Sequence, residues 1–170
     1  ENERISQLAY HKNDKSPNGY LLMLMRANKE QQISIELKDN KGNVYTSDEK
    51  LFFTTPKLPT DDKVFPKIEI TKNEKEEKEE LTLFNPRRRM PISLSGANEF
   101  NKLFGMLVII NQKGEVLWYY KTDSRISDFD LLSNGNLSYM TQDSRIVEID
   151  FSGNIINQWY ARNRPEGQYN

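Results

Sequence analysis

The sequence predicts an all-β protein, and three observations carry that prediction. Between Gln7 and Lys72, short β-like runs follow one another with no helical periodicity. In the last third, polar turns containing glycine separate runs of large apolar residues. One phrase, an apolar run, a turn and a run ending in aromatics, occurs there as LVIINQKGEVLWYY (Leu107 to Tyr120) and as IVEIDFSGNIINQWY (Ile146 to Tyr160). A shorter version, DFDLLSNGNLSYM (Asp128 to Met140), lies between them.

In chain order, the first runs are QLAYHK, GYLLMLMRA, QQISIELKD, NVYTS, LFFTT and FPKIEITK. Turn material such as Ser16-Pro17-Asn18-Gly19 and Asp39-Asn40-Lys41-Gly42-Asn43 separates them. From Gln32 to Leu37 the apolar Ile33, Ile35 and Leu37 alternate with polar residues, as in a strand with one buried face. Pro66 to Ile70 repeats that alternation. Five or six short strands in this span suggest a small immunoglobulin- or fibronectin-like sandwich over residues 1–72. The segment from Lys72 to Glu80 is charged at every position except Asn73, so residues 73–80 are expected to be a solvated linker. After it, LTLFNP reads as a strand and Arg87 to Phe100 as a loop rich in Pro, Ser, Gly and Asn.

The hairpin phrases begin near Phe104 and place a glycine in each turn: Gly114, Gly135 and Gly153. Glycine supplies the positive φ of a tight hairpin turn or its adjoining bulge, and Asn or Asp caps it. Gly114 and Gly153 lie 39 residues apart and Trp118 and Trp159 lie 41 apart, while successive turns are 21 and 18 apart. Turns about every 20 residues and a unit about every 40 are the signature of β-propeller blades. Residues 81–170 are therefore expected to start a β-propeller, about one to one and a half blades, in a chain that is a fragment of something larger. A lone blade and a half leaves edges and faces open, so the chain is expected either to self-associate as a homo-oligomer or to wrap its repeats against the sandwich as an ordinary small β domain.

Composition excludes several classes. With 36% apolar and 29% charged residues, 8 Phe, 8 Tyr and 2 Trp, the 170-residue chain is polar yet able to form a core. A net charge of −1 gives no reason to expect a nucleic-acid or membrane-surface partner, and no apolar stretch approaches the ~18 residues of a membrane span. Zero cysteines exclude disulfides, iron–sulfur clusters and cysteine nucleophiles. No basic-then-apolar leader opens the sequence, so any signal peptide is expected to be absent already.

The series GMLVIINQKGEVLWYY, DFDLLSNGNLSYM and RIVEIDFSGNIINQWY resembles the opening blades of bacterial arylsulfate sulfotransferases. The preceding FFTTPKLPTDDKVFPKIEI resembles the end of the small sandwich before that family's propeller. The resemblance spans about Gly19 to Tyr160, and the order of its segments is its more specific part. It implies a periplasmic or extracellular enzyme that moves a sulfuryl group from a phenolic sulfate donor to a phenol acceptor without a nucleotide donor. It also implies a channel histidine that carries the group covalently, with cationic residues neutralising the sulfate oxygens. Here the only histidine is His11, in the sandwich-like region, and no residue matches the family's catalytic histidine. The expected reading is thus an amino-terminal, itself non-catalytic part of an exported sulfotransferase, with its catalytic histidine beyond Asn170. No cofactor, metal site or catalytic residue is expected in this chain. The alternative is a non-catalytic β-rich binding or scaffold module of a cell-surface or periplasmic protein. A quinone-dependent dehydrogenase ranks last, because its tryptophan-docking motif is expected in every blade.

Among individual residues, Arg87, Arg88 and Arg89 are the candidate anion-binding set, since guanidinium forks match sulfate or phosphate oxygens. The plainer reading is three arginines pointing separately into solvent. Trp118, Tyr119, Tyr120, Trp159 and Tyr160 are expected to pack between blades more than to stack on a phenolic or sugar ring. Asp128 and Asp130 share a strand face, a spacing that suits turn or surface roles as well as acid–base work. His11 reads as an ordinary structural histidine, and Asn136-Leu137-Ser138 as a formal sequon without meaning in a bacterial protein.

Overall fold

A computed structural model describes residues 19–61, 64–71 and 80–162. His11 and most of the charged run before Glu80 lie outside the described residues. The architecture is all-β, as expected: eleven strands in four small antiparallel sheets and one short helix, among the described residues. In the first region β1 (Glu30–Ile33) pairs with β4 (Leu51–Thr54), and β2 (Glu36–Lys38) pairs with β3 (Val44–Thr46). In the second, β5 (Thr82–Phe84), β6 (Gly105–Ile110) and β7 (Val116–Thr122) form a three-stranded sheet. Next, β8 (Ile126–Leu131), β9 (Leu137–Thr141), β10 (Arg145–Ile149) and β11 (Ile155–Tyr160) run as a four-stranded meander.

Four hairpins use one turn. The residue opening the turn donates its N–H to the carbonyl four positions on: Asp39 to Asn43, Asn111 to Glu115, Leu132 to Asn136, and Asp150 to Asn154, at 2.8–3.1 Å. The glycine at the third position after the opener donates back to that opener's carbonyl with φ between 76 and 88°. That left-handed value is why glycine recurs there. Asp39, Asn111 and Asp150 accept backbone N–H groups through their side chains, which fixes the turn further. Register shifts follow at Ile109/Ile110 and at Glu148/Ile149, so the two related phrases carry their bulge at the same place.

The core lies in the second region. Strand β6 is buried along its whole length, as its uninterrupted apolar run requires. Leu107 faces the four-stranded sheet, in a cluster with Ile126, Leu137, Tyr139, Val147 and Ile149. From the other face Met106, Val108 and Ile110 meet Phe65, Val116 and the partly buried Leu58, Ile68 and Phe84. Gly105 must be glycine for space: a Cβ there would overlap the Thr122 hydroxyl and the Ser124 carbonyl.

Four expected elements differ. GYLLMLMRA forms no strand; Tyr20 to Arg26 is irregular, with Leu24 at φ 60°. Gln32 to Leu37 is two strands in two sheets, broken at Ser34-Ile35, because Gln32 pairs with Phe52 while Leu37 pairs with Tyr45. The presumed loop after Arg87 holds α1 (Ala97–Leu103), whose Ala97 is buried and whose Gly96 caps it in the left-handed conformation. FPKIEITK likewise contributes packing through Phe65 and Ile68 without forming a strand among its described residues.

Candidate functional site

The arginine-rich loop is stitched to the start of β8. Asn85 donates its side-chain amide to the Ile126 carbonyl at 3.1 Å, and Arg87 donates to the Ser127 carbonyl at 3.2 Å. Arg125 donates its guanidinium N–H to the Arg88 carbonyl at 3.1 Å. Its own backbone is held by Lys102 and Gln142, through bonds of 2.8 Å each. Arg87 and Arg125 thus both donate to backbone carbonyls where two elements cross; Arg87 and Arg89 are exposed and Arg88 and Arg125 half-buried. Burial first, then the charges of Arg89 and Arg87, push the Arg125 guanidinium below the ordinary arginine pKa. No carboxylate forms an ion pair with Arg87, Arg89 or Arg125 among the described residues; the pairs formed there join Arg26–Glu115, Lys67–Glu69, and Arg145 with Asp123 and Asp143.

Arg87, Arg88 and Arg89, expected from sequence, are therefore joined by Arg125, which sequence reasoning missed. Nothing local marks Arg125; only the strand crossing brings it 37 positions back along the chain to Arg88. Beside this loop, α1 and β7 enclose a recess of about 340 Å³ lined by Met90, Phe100, Leu103, Phe104 and Lys121 among others. Asn101 holds Met90 on both sides, accepting its N–H at 2.8 Å and donating to its carbonyl at 3.0 Å.

Trp118, Tyr119 and Tyr120 pack against other rings. Trp118 donates its indole N–H to the Phe151 carbonyl at 2.9 Å, with its ring edge-to-face on Phe151 at 5.3 Å. Tyr120 lies between Trp118 and Tyr139, at 6.3 and 6.1 Å, so these rings fill the interface between the two sheets. Burial pushes the Tyr139 phenol well above its ordinary range, which leaves it neutral and a poor nucleophile. Tyr119 points the other way and packs edge-on against Phe65 at 5.0 Å. Trp159 remains 44% exposed on the far face of the four-stranded sheet. Asp128 and Asp130 sit opposite Met140 and Ser138 on one exposed face, and Asp128 caps the Phe129 N–H.

Two charged clusters brace the four-stranded sheet. Arg145 donates to both oxygens of Asp123, at 2.7 and 3.1 Å, and pairs with Asp143 at 2.9 Å. Those bonds raise the Arg145 pKa; Asp143 stays below its usual value because contacts with Thr141 and Arg145 outweigh its burial. Glu148 accepts three amides, from Asn136, Asn157 and Asn134 at 2.6, 2.7 and 2.9 Å, which hold its carboxyl below the ordinary range.

No helix among the described residues is long and apolar enough to cross a membrane. No curated protein and no solved structure matches the chain. The sequence profile of the family described as Arylsulfotransferase (ASST) matches residues 67–165, which takes in β5 to β11, the arginine loop and both sheets of the core. With more than half its length matched, the chain belongs to the arylsulfotransferase family.

Proposed function

We propose that this chain is the amino-terminal, non-catalytic part of an exported aryl-sulfate sulfotransferase, in which a sulfuryl group passes from a phenolic sulfate to a phenol. The packing of the four-stranded β8–β11 sheet face to face on β5–β7 carries the reading, because radial four-stranded sheets are the unit of a propeller. On this reading residues 1–72 are an appended sandwich, 73–80 a linker, and 81–170 the start of the propeller. The far face of the four-stranded sheet supports it: Met140, Ile146 and Trp159 align in one register row and are all exposed. In the shared register of the two phrases Trp159 takes the place of Tyr120, which packs between Trp118 and Tyr139 where one sheet meets the next.

The sulfuryl carrier in the family is a histidine, and the single histidine here precedes the family-matched span. The nucleophile is then supplied by later sequence, and this region contributes scaffold. On the same reading the protein acts in the periplasm or outside the cell. Incubating the chain with 4-nitrophenyl sulfate and phenol is expected to release no nitrophenol and leave no sulfuryl adduct by mass spectrometry. The product of the complete gene is expected to turn over the same pair. Turnover by the chain alone that disappears in His11→Ala contradicts the proposal.

A further inference from the structure

We infer that the recess between α1 and β7 binds a free α-amino acid with an apolar side chain. Its ammonium sits on Glu99, its carboxylate on Lys121 and its side chain against Met90, Phe100 and Phe104. This site goes beyond sulfuryl transfer, which needs neither charge of a zwitterion.

The walls carry both signs of charge. Glu99 borders the recess from the first turn of α1 and Lys121 borders it from β7. Neither forms an ion pair among the described residues, with the other or with any third group, and Glu99 does not pair with Lys102 one turn along its own helix. A carboxylate and an ammonium group that border one recess without meeting leave room for a ligand that bridges them. An anion alone would satisfy Lys121 and set a like charge near Glu99; a cation alone would do the reverse. A zwitterion satisfies both, because its ammonium donates to the Glu99 carboxylate and its carboxylate accepts from the Lys121 ammonium.

The rest of the lining selects the side chain. Phe104 is buried and Met90 and Phe100 are half-buried. Phe100 and Phe104 stack at 5.3 Å and offer an aromatic surface, against which an apolar side chain sheds water. At about 340 Å³ the recess lies at the small end of ligand sites, a size for one amino acid more than for a peptide. Its walls are also held in place. Asn101 clamps both the N–H and the carbonyl of Met90, and the Arg125 N–H ties the Lys102 carbonyl of α1 to the start of β8. Lys121 stands opposite the fully buried Met106 in the β6–β7 ladder. Backbone fixed in this way loses little freedom when a ligand enters.

The test is a titration of the isotope-labelled full chain with l-phenylalanine, followed by two-dimensional NMR. Saturable shifts are expected at Met90, Glu99, Phe100 and Lys121. 3-Phenylpropionate lacks the ammonium, 2-phenylethylamine the carboxylate and glycine the side chain; each is expected to bind at least about threefold more weakly. Glu99→Gln is expected to weaken phenylalanine binding roughly three- to tenfold without weakening that of 3-phenylpropionate. Lys121→Gln is expected to do the same without weakening that of 2-phenylethylamine. Both side chains are exposed, so neither change should move the melting temperature. Shifts that do not saturate, or that fall away from the recess, overturn the site. So does an equal loss from Glu36→Gln with Lys38→Gln on β2, away from the recess, because diffuse charge then explains the binding. Equal affinity for 3-phenylpropionate or 2-phenylethylamine overturns the zwitterion. Equal affinity for phenylalaninamide assigns the site to the amino end of a peptide and overturns the free amino acid.

Discussion

The β2–β3 and β6–β7 hairpins share a turn and differ in almost everything else. Asp39 and Asn43 close one and Asn111 and Glu115 the other, by the same backbone bonds around a left-handed glycine. Yet β2 and β3 expose every residue, Leu37 at 65%, while all six residues of β6 are buried. Turn chemistry makes a hairpin; a second layer makes a core. β6 has neighbours on both sides, the four-stranded sheet on one and Leu58, Phe65 and Ile68 on the other. The small ladders of the first region have none of comparable extent among the described residues.

The comparison breaks most readily at paired leucines. Leu107→Ala is expected to cost roughly 3–5 kcal/mol by chemical denaturation, whereas Leu37→Ala stays within about 0.5 kcal/mol. Comparable losses at the two sites contradict the contrast. Gly105→Ala, which must push Thr122 or the Ser124 carbonyl aside, is expected to cost about 1–3 kcal/mol. Trp118→Phe keeps the ring packing but leaves the Phe151 carbonyl without its donor, a loss of about 1 kcal/mol in urea unfolding.

Acid sharpens the comparison further. The depressed pKa of Glu148 means its three amide bonds stabilise the fold above the ordinary glutamate value of 4.5, and that contribution is lost as pH falls through the lower folded value. Urea midpoints measured down to about pH 3 should therefore fall less steeply in Glu148→Gln than in the parent chain. An unchanged slope assigns the acid limb elsewhere. Phe52→Ser in β4, 60% exposed, has the smallest expected effect: stability within about 0.5 kcal/mol, with any self-association reduced in sedimentation.

The carboxyl-terminal half was legible because its signals are local. A glycine turn, a bulge and an aromatic strand end are set within a dozen residues, so Gly114, Gly135 and Gly153 mark three hairpins of the structure, while the β9–β10 turn, with Ser144 at φ 70° in place of a glycine, carried no such mark. The amino-terminal run QQISIELKD misled because alternation specifies a strand but not its partner; two partners, Phe52 and Tyr45, split it. Helix α1 lay hidden behind Ser95-Gly96, which reads as loop although Gly96 caps a helix. In the candidate site, Arg87 to Arg89 stood out as a run, while Arg125 depended on how β8 crosses the loop. Proximity of that kind is a tertiary property and leaves no spacing to read.

Residue-resolved amide hydrogen exchange on the full chain tests the account most directly. Strands β6, β9 and β10 should exchange only through global unfolding, and β1 to β4 should exchange by local opening at far lower cost. Two separated tiers, with the boundary before β5, are the predicted result. A single tier, in which Leu37 and Leu107 amides are equally protected, would contradict the division between hairpin and core.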